Sequence, residues 1–149
     1  MTDVYNNIAA SLKKYCNDFI TSNSVYSSFK VYDFDAFGSE SQLPDSNLIG
    51  IAEYSVQNVE RMYIVTCAIV VCTKADDDAI KNLRKTVGVM FDKFQPGNTD
   101  IPIVNADTGT TIGNLVVMDD VKVFPVARTQ TRPVQLIGVS FGASFLTPP

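Results

Sequence analysis

Met62-Tyr63-Ile64-Val65-Thr66-Cys67-Ala68-Ile69-Val70-Val71-Cys72 is the stretch on which the fold turns. Its two alternating sets are both apolar: Tyr63, Val65, Cys67, Ile69 and Val71 on one side, Met62, Ile64, Ala68, Val70 and Cys72 on the other. That is the pattern of a strand covered on both faces. β-Branched residues crowd the run and it is short for a buried helix, so it reads as the middle of a sheet. Thr73-Lys74-Ala75-Asp76-Asp77-Asp78 follows and opens an amphipathic helix, apolar at Ile80, Leu83, Val87, Met90, Phe91 and Phe94. Gln95-Pro96-Gly97-Asn98 stops it. Gly88 lies inside this helix at a cost of about 1 kcal/mol relative to alanine, which predicts a close approach to the sheet.

Working outward toward the N-terminus, Asn47 to Val56 reads as a strand, with Gln57-Asn58 turning into the central one. Before it, Val25 to Asp35 is β-prone, and Ala36 to Ser46 has turn composition and no period. Loops of such length are more often functional or disordered than merely connective. The chain begins with a second amphipathic helix, apolar at Val4, Ile8, Leu12, Tyr15, Cys16 and Phe19 and ending near Thr21. Thr2 is placed to cap it and Asp3 suits its N-terminus; Asn6, Asn7, Lys13, Lys14 and Asn17 form its polar side.

Toward the C-terminus everything reads as strand and turn. Ile101 to Asn105 and Thr111 to Met118 flank Ala106-Asp107-Thr108-Gly109-Thr110, a hairpin tip; Asp119-Asp120 turns into Val121 to Val126. Arg128 to Pro133 leads into a final strand, Val134 to Leu146, with Ile137, Val139, Phe141 and Phe145 on one face. Gly138, Ser140, Gly142 and Ser144 line the other, where a helix or a neighbouring subunit has room to come close. The expected architecture is one α+β domain over 1–149. Its sheet is mixed and mostly antiparallel, two main helices pack on it, and a β-hairpin extension covers about 105–133.

Composition narrows the chemistry. The 149 residues carry a net charge of −4 and no basic cluster longer than Lys13-Lys14, so phosphate-backbone binding has no visible footprint. No apolar run approaches the roughly 20 residues that span a bilayer, and Asp3 stands where a signal peptide carries positive charge, so the expected compartment is the cytoplasm of a host cell. Cys67 and Cys72, at odd separation on one strand, point to opposite faces, and with Cys16 they read as buried reduced thiols. Histidine is absent, which removes Ser-His-Asp and Cys-His catalysis and the commonest general base.

The remaining motifs have simpler structural readings. Gly138-Val139-Ser140-Phe141-Gly142 has the form of a nucleophile elbow, but strand alternation runs straight through Ser140 and no histidine is available. Asp33-Phe34-Asp35-Ala36-Phe37-Gly38 opens like a calcium loop, yet Phe37 occupies a ligand position and Pro44 stands where the bidentate glutamate belongs. Asp76 to Asp78 suits a helix start, and Thr108 to Gly113 lacks the lysine of a phosphate loop. No catalytic residue, cofactor or metal is expected, and the chain reads as a binding or assembly protein.

Glu60 to Ile80, an alternating apolar strand running through a short acidic turn into the second helix, resembles the tail-terminator proteins of long-tailed bacteriophages (the lambda-like minor tail protein U family). Leu48 to Tyr54 is similar to that family's second strand and Gln135 to Leu146 to its closing strand. Ala106 to Pro133 is longer than compact members need, which also suits a related neck or head-completion protein. The resemblance implies a structural virion protein in the tail-neck region. It would form a homohexameric ring that caps the tail tube, contacts the tube protein and a head-completion or neck protein, and lets the genome pass its lumen without sequence-specific binding or membrane contact. Candidate contact residues are Asp33, Asp35, Phe37, Glu40 and Leu43 in the long loop, and Asp107, Thr108, Thr110 and Ile112 at the hairpin. Arg128 and Arg132 are expected to be exposed, either in a solvated turn or paired with acids of an adjacent subunit. The alternatives are a small cytoplasmic ligand-binding domain with a pocket between helices and sheet, and a histidine-free hydrolase or metal enzyme using Asp33, Asp35 or Ser140.

Overall fold

The structure, a computed structural model, describes residues 3–36, 43–97, 101–118, 120–129 and 132–146. In chain order the elements are α1 (Val4–Thr21), β1 (Phe29–Asp33), β2 (Asn47–Val59), β3 (Met62–Cys72), α2 (Ala79–Lys93), β4 (Ile101–Val104), β5 (Thr111–Val117), β6 (Lys122–Val123), β7 (Ala127–Thr129) and β8 (Arg132–Phe145). The fold is α+β, as the alternation and helical spacing predict. Asp3 itself caps α1, its carboxylate accepting from the Asn6 N–H at 3.1 Å, while Thr2 lies outside the described residues.

The sheet runs β1-β2-β3-β8-β5-β4, and every pair is antiparallel except β1 with β2. The quoted stretch, β3, is interior, between β2 and β8. Both its faces are buried from Cys67 to Cys72, whereas Met62 and Thr66 nearer its start are exposed. β5, β6 and β7 lie in succession along the β8 edge opposite β3, so most of the segment expected as a hairpin extension continues the main sheet.

The turn into β3 is not at Gln57-Asn58. β2 runs through both residues, and the chain reverses at Glu60 and Arg61, whose φ values of 49° and 69° give the left-handed pair a two-residue hairpin needs. Gln57-Asn58 has the more turn-like composition, but the long β2–β3 ladder carries the strands past it. Within β2 one extra residue enters between Ala52 and Ser55, a β-bulge with Glu53 at φ 53°. Gly50 marks a close approach, since a Cβ there would stand 1.8 Å from the Tyr32 carbonyl oxygen.

Both helices cover the same face. α1 packs against β1, β2 and β4, and α2 against β8 and β3. The core between them is filled by Ile8, Leu12 and Cys16 from α1, Leu83, Val87, Met90 and Phe94 from the α2 region, and Val65, Ile69, Ile137 and Phe141 from the sheet. α1 thus reaches both edge strands of the sheet.

Two expectations about the helices change. Gly88 faces solvent, and a Cβ there would meet nothing within 4 Å, so no close approach to the sheet explains it. Asn7, expected on the polar side of α1, is buried at 4% exposure, against Ala106 just past β4. On β8 the small row faces away from both helices: Gly138 lies under the Phe124 ring, and the space above Gly142 is open.

Candidate functional site

Most of the expected contact residues fall in the long loop after β1 and at the β4–β5 tip, and Asp35 and the tip both lie by the first turns of α1. In the first, Asp33 ends β1 and Asp35 follows it. Asp33 accepts from the Lys13 ammonium at 3.1 Å and from the Asp35 N–H at 3.1 Å, which ties the loop to α1. Asp35 accepts from the Glu53 N–H at 2.7 Å and the Tyr54 N–H at 3.2 Å, so its carboxylate closes the bulge of β2. Both oxygens are thereby aimed at backbone donors, not at a cation. The Tyr54 hydroxyl then donates to the Tyr5 carbonyl, with the two rings 4.8 Å apart, and locks the bulge onto the first turns of α1. Phe37 and Glu40 lie outside the described residues, and Leu43 opens the segment that re-enters the sheet.

The second region is the β4–β5 tip, which forms where the sequence places it. Asn105 organises it: its side-chain oxygen accepts from the N–H groups of Asp107 (2.9 Å) and Thr108 (3.2 Å), and its carbonyl accepts from Gly109 (2.8 Å). Gly109 takes φ 74°, a conformation that favours glycine. The Thr108 and Thr110 hydroxyls bond at 3.1 Å, and Asp107, Thr108 and Thr110 are exposed while Ile112 is half-buried against the core. α1 holds the tip from below: Asn7 Oδ1 accepts from the Ala106 N–H at 2.9 Å and Ser11 Oγ from the Val104 N–H at 2.8 Å. These anchors went unread in the sequence. Their signal is two polar residues, Asn7 and Ser11, continuing from Val4 at steps of three and four within the core-facing stripe.

Arg132 is not the exposed residue that was expected. It is half-buried, and its guanidinium donates to three carbonyls: Thr73 at 3.3 Å, Pro44 at 2.7 Å, and Ser46. The fork of donors therefore clasps the end of the long loop onto the exit of β3. Arg128 sits in β7 with its backbone paired to Pro133.

The groups weighed for chemistry are spread over the molecule. Ser140 lies mid-strand in β8, paired with Thr66. Cys16, Cys67 and Cys72 are free and buried, and burial pushes the Cys16 and Cys67 thiols up to about 12, far from a reactive thiolate. Burial likewise raises the Tyr54 hydroxyl, with Tyr5 beside it adding to the effect. Among the described residues no cluster of acids or cysteines is arranged to hold a metal, and no helix is long and apolar enough to cross a membrane.

A cleft of about 130 Å³ opens at the other end of α1, between the turn that follows it and α2. Val25, Ser28, Asn47, Asn82, Lys85 and Thr86 line it. Asn47 is fixed there, donating to Ser28 Oγ at 3.0 Å and accepting from the Lys74 N–H at 2.8 Å. Lys81, Arg84 and Lys85 stand exposed on one face of α2 beside it.

No protein-family model matches this chain, and no curated protein matches it. Among solved structures, a chain 10% identical in sequence superposes with a TM-score of 0.55 over 95% of this chain and 96% of its own length. At that identity the likeness is one of fold.

Proposed function

We propose that this chain is a subunit of a hexameric ring that caps and terminates a bacteriophage tail tube, in the tail-neck region of the virion, and joins it to the head or neck. The observation that carries the reading is the pairing of a side-chain-filled α+β core with surface loops braced by hydrogen bonds at their described residues. The β4–β5 tip is braced by Asn7 and Ser11, and the long loop is tied down at both ends by Asp35 and Arg132. Such bracing suits surfaces that meet other proteins in a fixed geometry, where preorganisation lowers the cost of association. The strand–acidic turn–helix order of Glu60 to Ile80 adds the tail-terminator resemblance, and two dissimilar ends supply what a head-to-tail ring requires. A neck or head-completion protein is the nearest alternative. The ligand-binding alternative draws less support, because Leu12, Leu83, Met90, Phe94 and Phe141, each at most 1% exposed, fill the space between helices and sheet.

Negative-stain electron microscopy of the purified protein, alone and mixed with assembling tail tubes, tests the reading. The expected result is a six-fold ring of six 16.3 kDa chains, about 98 kDa, or a cap that fixes tube length. Small particles together with tubes that grow unchecked overturn it.

A further inference from the structure

We infer that the β4–β5 tip of one copy docks into the cleft beside α2 of the next copy, so that identical chains join head to tail. The inference rests on the ring reading and assigns the two surfaces that would make its subunit contact.

Three observations converge. First, the two surfaces lie at opposite ends of the molecule. The tip is bonded to Asn7 near the start of α1, and the cleft is walled by Val25 and Ser28, just past its end at Thr21. The 18 residues of α1 separate them by about 27 Å of helical rise. A contact between opposite ends of identical chains is heterologous, and it propagates until a ring closes or a filament forms.

Second, the charges are complementary although the chain as a whole is at −4. Lys81, Arg84 and Lys85 are exposed on one side of α2, and none is ion-paired among the described residues. The tip carries Asp107, exposed and likewise unpaired among the described residues. Glu53 is exposed at the same end of α1, in the bulge that Asp35 and Tyr54 hold against it. Asp76 to Asp78 precede α2, nearest along the helix to Lys81. Asp78 is about 10 Å of helical rise from Lys85, beyond the Debye length of about 8 Å at physiological salt, which leaves Arg84 and Lys85 to set the charge beside the cleft.

Third, the polar groups on the two surfaces are of complementary kinds. The tip is a compact turn closed on itself by Asn105 and by the Thr108–Thr110 bond, and it presents one carboxylate and two hydroxyls. The cleft offers the amides of Asn47 and Asn82, the Ser28 hydroxyl and the Lys85 ammonium, with Val25 63% exposed on its rim. Gly88 leaves the α2 backbone bare one turn beyond Lys85, so a neighbour meets no side chain there.

A charge swap tests the pairing. One variant carries Arg84→Glu and Lys85→Glu, the other Asp107→Lys; all three positions are exposed. Self-association of the wild type, each variant and their equimolar mixture is followed by sedimentation velocity, and on tube-bound rings if rings form only on tubes. Like charges brought together across a contact weaken it strongly, so each variant alone is expected to associate at least about tenfold more weakly than wild type. The mixture, in which every contact again joins opposite charges, is expected to recover. Six-fold assembly of both variants at wild-type strength, or a mixture that stays as weak as its components, overturns the assigned contact and leaves the ring reading standing. Wild-type chains that form no ring, either free or on tubes, overturn both.

Discussion

Arg132 shows how one side chain can serve a different end from the one its sequence position suggests. Next to Pro133 at the start of a strand it looks like a surface cation, but its guanidinium gathers the carbonyls of Thr73, Pro44 and Ser46 at the end of the sheet. Charge-assisted hydrogen bonds contribute about 1.5–3 kcal/mol each net of exchange with water when buried, and less at a half-buried side chain such as this one. Arg132→Ala is therefore expected to lower stability by about 2–4 kcal/mol in urea unfolding of the monomer, with Arg132→Lys between. A loss under about 0.5 kcal/mol would mean that the carbonyls find water instead. Gly88 gives the opposite sign. Nothing within 4 Å requires a missing side chain there, so Gly88→Ala is expected to raise stability by about 1 kcal/mol, read as a higher Tm.

At the scale of elements, the open edge of β4 is the weak point of a curled sheet, because an unpaired row of N–H groups templates non-native pairing. α1 answers this with side chains, Ser11 bonding the Val104 N–H and Asn7 the Ala106 N–H. Ser11→Ala and Asn7→Ala each leave one of these donors without its partner, at a cost of about 1–3 kcal/mol. Hydrogen exchange is the direct readout: the Val104 amide is expected to exchange faster in the first variant and the Ala106 amide in the second. Unchanged protection at both sites would show that α1 does not hold the edge. The β2 bulge works the same way, with a side chain, Asp35, supplying acceptors that the ladder cannot.

The whole molecule has a titration signature in its core. Cys16 and Cys67 ionise in the unfolded chain near 9.0, but burial pushes them to about 12 in the fold. A raised pKa contributes stability that is complete below the unfolded value and is lost as pH rises through the folded one. Stability to urea is thus expected to hold up to about pH 9 and to fall steeply between about 9 and 12, with Tyr54 adding to the loss. The Cys16→Ala, Cys67→Ala double variant is expected to start less stable, through lost packing, and to show a shallower alkaline slope. Parallel pH profiles for variant and wild type would remove the thiols from the account.

Periodicity and local backbone chemistry are legible along the chain. Alternation identified β3 and β8, and the spacing of Ile8, Leu12, Cys16 and Phe19 and of Leu83, Val87, Met90 and Phe94 identified the core-facing stripes of both helices. Turn chemistry at Ala106 to Thr110 located a hairpin that the Asn105 side chain then closes. Tertiary structure decided what depends on partners distant in the chain. The turn fell at Glu60-Arg61 because ladder pairing outweighed the turn propensity of Gln57-Asn58. Asn7 and Ser11 entered the core because a strand edge some hundred positions later needed acceptors, with separations of 99 and 93 residues. Arg132 turned inward because Pro44, Ser46 and Thr73 converge on it. Hydrogen-bond partners far apart in the chain leave no periodic trace, so only the assembled fold reveals which polar side chains brace its surface and which remain free to meet another molecule.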